Sequence, residues 1–318
     1  MSRILVAELI HDAGIKLIAD LGHEAVLLDK YPDPDAVMEL SKKVEGLIVR
    51  TMPIPRDLID NAPNLRVIGK HGVGIDNIDI SAATEKGIQV VYTPGASSQA
   101  VAEHAVMLML SVAKKVVTFD RELRSGNFWV RNEHRTVELS GKTVGLVGRG
   151  RIASLVGQMC YFGFNMKVLV YHPRSDDDSM VKPWGQLTNN LYEMLPQCDF
   201  VSLHCPLNKE TTDLINDAAL ECMKKTAILI NTARGPIVNS EALYKALKKE
   251  QIAGAGLDVF TEEPPAADDP LLQLDNVVLT PHMGTGSEEA MQRLATEVVR
   301  NVVTFLDGGI PESMVNRV

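Results

Sequence analysis

The sequence predicts an α/β protein built on two parallel β-sheets, each covered by helices on both faces. Three observations lead there. Short apolar runs alternate with longer stretches of helical periodicity through almost the whole chain, the rhythm of βαβ units. The runs fall into two series separated by one long helical stretch. The 318 residues also exceed one typical domain, so two are expected.

In chain order, the first strands are Ile4–Ala7, Ala25–Leu28, Gly46–Val49, Arg66–Ile68 and Ile88–Val91, with helical patterns between several of them. A helical stretch from Ser98 to about Arg124 follows, its apolar faces too broad for a simple surface helix. The second series is Thr143–Val147, Lys167–Val170, Phe200–Leu203, Ala227–Ile230, Ala253–Leu257 and Val277–Leu279. A second long helix, from about Ser287 to Leu306, closes the chain. No Gly/Pro/Ser-rich linker, low-complexity tract or fixed-period repeat interrupts this order, so the two long helices are expected to join the domains. The expected division is residues 1–98 plus 286–318 against residues 99–285, which makes the first domain discontinuous.

Composition narrows the function classes. Apolar residues make up 45% and charged residues 23%, an ordinary globular balance. A net charge of −9 argues against a nucleic-acid or anionic-membrane partner. It still permits an anionic substrate, which a few local arginines can hold. The cysteines, Cys160, Cys198, Cys205 and Cys222, show neither CxxC nor CxxH spacing. That argues against a disulfide framework or a zinc site, and for a reducing cytoplasm. The N-terminal residues lack the apolar core of a signal peptide, and no apolar run approaches the ~18 residues of a membrane helix.

The strongest local motif is Val144-Gly145-Leu146-Val147-Gly148-Arg149-Gly150-Arg151-Ile152-Ala153. Here a GxGxxA pattern follows an apolar strand and opens a helical stretch, Ile152 to Phe162. Gly148 permits a tight turn, Gly150 lets backbone N–H groups approach a pyrophosphate, and Ala153 allows the helix to pack closely on the strand. The helix N-terminus adds oriented donors. The plainer reading is an ordinary strand–helix turn. Where an NAD-selecting site carries Asp or Glu about 20 residues further on, this chain has His172, with Arg174 and Ser175 beyond it. A carboxylate would repel a 2′-phosphate, whereas a cationic or hydroxyl-bearing loop accepts one, so the sequence leans toward NADP without excluding NAD. The alternative is a solvated turn in which Arg174 pairs with Asp176, Asp177 or Asp178.

Three strands of the second series end in polar segments: Asn231-Thr232-Ala233-Arg234-Gly235, Asp258-Val259-Phe260-Thr261-Glu262-Glu263-Pro264 and Thr280-Pro281-His282-Met283-Gly284. Ligands of open α/β sheets bind beyond such carboxyl ends. Reduction of a 2-oxo acid by hydride needs this set of groups. A histidine can protonate the forming alkoxide, a carboxylate can hold its imidazolium, and a guanidinium can clamp the substrate carboxylate and polarise the ketone. Singly, His282 could cap a helix, Glu263 could be a solvated loop charge, and Arg234 could bridge two loops.

Together with His71-Gly72-Val73-Gly74-Ile75-Asp76-Asn77-Ile78-Asp79, Thr93-Pro94-Gly95-Ala96, Ala102-Glu103-His104 and His204-Cys205-Pro206-Leu207, these segments make the chain resemble the D-isomer-specific 2-hydroxyacid dehydrogenase family. That family includes D-3-phosphoglycerate dehydrogenases and hydroxypyruvate and glyoxylate reductases. The resemblance implies two Rossmann-like domains, one flavodoxin-like and one dinucleotide-binding, with the active site in the cleft between them. It makes Arg234 the substrate-orienting arginine, Glu263 (before Pro264, in preference to Glu262) the partner of the histidine, and His282 the acid/base. Arg151 and Ile152 would meet the pyrophosphate, and Asp258 the nicotinamide carboxamide. Thr232, Ala233 and Pro206 would line the cofactor cleft. Backbone N–H groups around Val73 and Gly74 would hold the substrate carboxylate. A homodimer is implied, with the Ser98–Arg124 region as interface.

The chain departs from the family pattern at His172, which puts NAD preference in doubt, and at Thr93, where Asn is frequent. At His71, where a small residue is common, the readings are a contact to a substrate tail or a surface histidine. The chain ends at Val318 without the regulatory domain of long phosphoglycerate dehydrogenases. Hydroxypyruvate, glyoxylate, phosphohydroxypyruvate and a sulfonated analogue all remain open as substrates. So does a dinucleotide-sensing corepressor on the same fold.

Overall fold

The computed structural model describes residues 1–28, 33–174 and 177–318. The chain divides into two compact units, Met1–Ser97 with Thr285–Val318, and Ser98–Gly284.

The first unit holds β1 (Arg3–Val6), β2 (Glu24–Leu27), β3 (Gly46–Val49), β4 (Val67–Lys70) and β5 (Gln89–Val91). They form a parallel sheet in the order β2-β1-β3-β4-β5, the flavodoxin-like arrangement. Residues of β3, β4 and β5 are buried throughout, which a sheet covered on both faces requires. The last helix, Glu288–Leu306, is capped by Ser287 and packs Leu294, Ala295, Val298, Val299 and Val302 against Ile4, Val6, Ile48 and Val67. At the point where the strand order reverses, between β1 and β3, the Glu8 carboxylate accepts from the backbone N–H groups of Arg50, Thr51 and Met52 and from the Thr51 hydroxyl. Burial pushes the Glu8 pKa up, but those bonds outweigh it and hold the carboxyl below its usual range.

His71 is not on the surface, as one reading had it. It is buried, and its Nε2 has no hydrogen-bond partner. Burial first, and the Arg50 charge second, push its pKa down to about 3.

The second unit holds β6 (Thr143–Val147), β7 (Lys167–Tyr171), β8 (Gln186–Thr188), β9 (Phe200–Leu203), β10 (Ile228–Asn231), β11 (Gly254–Leu257) and β12 (Val277–Leu279). The order is β12-β11-β10-β9-β6-β7-β8, all parallel. Read outward from β6, this is the doubly wound order, and it reverses between β6 and β9. The edge strand β8 has no apolar run, and the sequence reading missed it. The stretch from Ser98 to Arg124 is two helices, Ser98–Ala113 and Val116–Arg124, broken at Lys115, which takes φ 52°. The Ala113 carbonyl, which a continuous helix would give to residue 117, accepts instead from Val137 N at 2.9 Å. The helix that opens the second unit buries Ala102, Ala105, Leu108 and Met109 in a core with Val144, Leu146, Ile228 and Ile230. Among the described residues no helix is long and apolar enough to cross a membrane.

Candidate active site

The glycine loop sits where the strand order of the second unit reverses. Gly148 follows β6 with φ +115°, and a Cβ there would stand 2.7 Å from the His204 carbonyl oxygen and 2.9 Å from Cys205 N. Only glycine lets the β6 turn pass the end of β9 so closely. A Cβ on Gly150, by contrast, would meet nothing within 4 Å. Gly150 is the cap of the helix Arg151–Gln158 and, having no side chain, makes no side-chain cap bond to it. Ala153 is fully buried. The helix runs on into a wider turn at Met159–Gly163, not as one regular helix to Phe162.

Beside this loop lies a cavity of about 520 Å³, walled among others by Gly148, Gly150, His172, Arg174, Pro206 and Glu210. An open-faced Gly150 at a helix N-terminus is what a pyrophosphate requires, and the cavity continues from it to the end of β7. The residues fit a dinucleotide. Thr232, at the end of β10, has a buried hydroxyl with no hydrogen-bond partner. Cys205 is also in the wall, and burial pushes its thiol up to about 11, so it stays protonated near neutral pH.

At the end of β7, His172 N donates to the Thr188 carbonyl at 3.0 Å, and His172 Nδ1 accepts from Arg174 N at 3.3 Å. The Arg174 guanidinium is ion-paired with Glu210. Of the aspartates considered as its partners, Asp177 and Asp178 are described with other contacts. Asp177 accepts from Ser179 N at 3.0 Å, Asp178 faces Lys182 at 3.4 Å, and Ser175 and Asp176 lie outside the described residues.

The second cluster lies at the carboxyl ends of β10, β11 and β12. Asn231 is buried, and its side chain closes the turn that carries Arg234: Nδ2 donates to the Arg234 carbonyl at 2.8 Å, and Oδ1 accepts from Ala233 N at 3.0 Å. A Cβ on Gly235 would stand 2.0 Å from the Phe260 carbonyl oxygen, so the turn presses directly on the segment leading to Glu263. Glu263 Oε1 accepts from Phe260 N at 3.1 Å, and Oε2 lies 2.6 Å from His282 Nδ1. Burial raises the Glu263 pKa, but the His282 contact, the Phe260 N–H and the Arg234 charge together bring it below the usual carboxylate range. Nδ1 faces the carboxylate, which fixes the ring and leaves Nε2 as the nitrogen for other partners. His282 has φ 50°, which non-glycine residues rarely adopt, and its N–H donates to the Asp258 carbonyl at 2.8 Å. Among the described residues it is Glu263, not Glu262, that faces the His282 ring.

Asp258 is buried and turns into its own unit. Its carboxylate accepts from Thr280 Oγ1 at 2.6 Å and from Met283 N and Gly284 N, each at 2.9 Å. His104 Nε2 lies 3.2 Å from the same carboxylate and 2.9 Å from Thr280 Oγ1. Burial pushes the Asp258 pKa up, yet these donors, His104 first, bring it down overall. The sequence reading missed His104, Thr280, Asn231 and Glu210. His104 stood in a quoted motif, but no spacing ties a helix residue to a loop some 150 positions away. Val73 and Gly74 belong to the first unit, where Val73 is exposed. Among the described residues no group of three or more His, Cys, Asp or Glu could hold a metal.

Residues 106–284 match the family described as D-isomer specific 2-hydroxyacid dehydrogenase, NAD binding domain. The chain is 39% identical to a glyoxylate reductase of Korarchaeum cryptofilum, covering 99% of this chain and 96% of that one. It is also 39% identical to a D-3-phosphoglycerate dehydrogenase of Methanocaldococcus jannaschii, covering 99% of this chain but 60% of that longer one. A solved structure of an NADPH-dependent glyoxylate/hydroxypyruvate reductase from Sinorhizobium meliloti, in complex with citrate, superposes with a TM-score of 0.86 at 29% identity, covering 99% and 98% of the two chains.

Proposed function

The chain belongs to the D-isomer specific 2-hydroxyacid dehydrogenase family of NAD(P)-dependent oxidoreductases, and from that premise we propose that it reduces glyoxylate or hydroxypyruvate to the D-2-hydroxy acid. The observation that carries this reading is the 2.6 Å pair of His282 and Glu263, beside the Arg234 turn and in the same unit as the glycine loop. The corepressor alternative draws no support from the relatives.

In the proposed mechanism the nicotinamide cofactor, when bound, supplies the hydride. Arg234 orients the substrate carboxylate and polarises the ketone, which a planar guanidinium does with two parallel donors. His282 delivers a proton from Nε2 to the forming alkoxide, while Glu263 at Nδ1 holds the ring and stabilises its charged form. Gly148, Gly150, Arg151 and Ile152 hold the pyrophosphate, and Pro206, Thr232 and Ala233 the rest of the dinucleotide. Asp258 acts as organiser of the 280–284 turn and as acceptor for the carboxamide. In this reading Ser98–Gly284 is the dinucleotide unit.

NADPH is the favoured donor and NADH is accepted, because His172 brings no carboxylate against a 2′-phosphate and Arg174 stands on the same wall. The protein acts in the cytoplasm as a homodimer. Its interface includes the exposed Val116, Val117, Leu123, Phe128 and Trp129, an apolar group that water disfavours. Sedimentation at micromolar concentration tests the dimer, and a single monomer boundary would exclude it.

Following absorbance at 340 nm with glyoxylate, hydroxypyruvate and phosphohydroxypyruvate, each with NADH and NADPH, tests the activity. The reading expects turnover of at least one of the first two. Turnover of phosphohydroxypyruvate alone would replace the substrate assignment, and none at all would overturn it.

A further inference from the structure

We propose that Glu210 sets the cofactor balance of this protein, by competing with a 2′-phosphate for the guanidinium of Arg174. The inference rests on the cofactor reading above and deepens it.

Three observations carry it. Arg174 and Glu210 line the same cavity, and their side chains are ion-paired across it. Glu210 is the only carboxylate among the described residues of that wall, since position 172 is a histidine. The loop that presents Glu210 is also built rather than loose. Asn208 Oδ1 accepts from Glu210 N at 2.8 Å and from Thr211 N at 3.1 Å, and Thr211 Oγ1 donates to the Pro206 carbonyl at 2.7 Å. The carboxylate that selects ribose hydroxyls in NAD-specific folds sits at the end of the second strand, on the β7 side. Here the β7 side carries Arg174, and the carboxylate comes from the segment after β9.

The consequence follows from charge. A 2′-phosphate needs charge-assisted donors, and the guanidinium placed to give them is engaged by Glu210. Binding a phosphorylated ribose therefore requires Arg174 to exchange one anion for another, with Glu210 left close to the new negative charge. A plain ribose requires neither. Glu210 thus holds down a preference for NADPH that His172 and Arg174 would otherwise make large. Both side chains are well exposed, at 68% for Arg174 and 65% for Glu210, so the competition is screened by salt and its size is moderate.

Calorimetric titration of the full chain with NADH, NADPH, ADP and 2′,5′-ADP, at low and high ionic strength, tests this without relying on turnover. Glu210→Gln is expected to tighten NADPH and 2′,5′-ADP about three- to tenfold while NADH and ADP stay within twofold. The gain should shrink at high salt. Arg174→Ala should loosen the phosphorylated ligands. In that background Glu210→Gln should give a clearly smaller gain, because the two residues act on one contact. Weakening of NADH by Glu210→Gln would overturn the proposal, since Glu210 would then hold the ribose itself. An unchanged ratio of the two cofactors would also overturn it. Failure of the unaltered chain to bind either dinucleotide would instead refute the cofactor reading.

Discussion

Glu263→Gln removes the charge beside His282 while keeping the volume and an oxygen that can still accept from Nδ1. The bond it weakens is short, 2.6 Å, and links a carboxylate to the ring that must carry a positive charge before it delivers its proton. Hydrogen bonds to charged groups contribute ~1.5–3 kcal/mol. The two side chains are 31% and 32% exposed, so water screens part of that and about 1–2 kcal/mol remains. At ~1.4 kcal/mol per factor of ten, the turnover of Glu263→Gln should fall roughly 5- to 30-fold. His282→Ala should cost more, ~10²–10⁴, because it removes the acid itself. The double variant should be little worse than His282→Ala, since Glu263 acts through the ring.

The sign with pH follows from the lowered Glu263 pKa. Its charge is present above the ordinary carboxylate range and is lost as pH falls through the lowered value, so the unaltered protein should lose this contribution in acid and the glutamine variant should have none to lose. Steady-state kcat with glyoxylate at saturating cofactor, together with fluorescence titration of the cofactor, reads all of this. A glutamine variant within twofold of the unaltered kcat would refute the argument, as would a loss confined to cofactor affinity.

Gly148→Ala drives a Cβ to 2.7 Å from the His204 carbonyl at φ +115°, so it should cost about 1–3 kcal/mol of stability and weaken both dinucleotides at least tenfold. Unchanged melting and titration curves would be the contrary result. Gly235→Ala faces backbone at 2.0 Å and should lower both melting temperature and kcat, as it separates the Arg234 turn from the Glu263 segment. An alanine variant as active as the parent would sink that. His71 and His204 stay neutral in the folded chain down to about 3, whereas an unfolded histidine takes a proton near pH 6.5. The unfolded state therefore binds more protons in that window, and stability should be full above about 6.5 and decline as pH falls toward 3. His71→Gln should flatten the decline of melting temperature between about pH 7 and 5, and an identical slope would argue against this account. His104→Ala removes a donor from buried Asp258 and should cost ~1–3 kcal/mol, measured by denaturant unfolding. A change below about 0.5 kcal/mol would make the contact incidental.

The sequence by itself determined the parts that depend on local pattern. Short apolar runs gave nearly all the strands, because a buried parallel strand needs no polar alternation, and only the polar edge strand β8 escaped. The spacing of Gly148, Gly150 and Ala153 was readable because each answers to a local demand of turn, approach or packing. Arg234 and His282 could be singled out because each follows a strand of the second series within three residues, whereas Glu263 was picked out by the resemblance, which sets the histidine's partner before Pro264.

Tertiary structure decided what depends on contacts between distant segments. Lys115 breaks the long helix because Val137, far along the chain, takes the Ala113 carbonyl. His71, read in sequence as either a contact to a substrate tail or a surface histidine, lies buried in the fold. Asp258 is engaged by His104, Thr280 and the 283–284 backbone, a set drawn from one helix and the end of β12. Arg174 is ion-paired with Glu210, a residue from the segment after β9 that no local spacing links to it. Periodicity and spacing encode what a residue's own segment requires of it; which charge stands opposite is set by the strand order, which puts β9 and β7 on either side of β6, so that the segments after them can meet over the β6 turn.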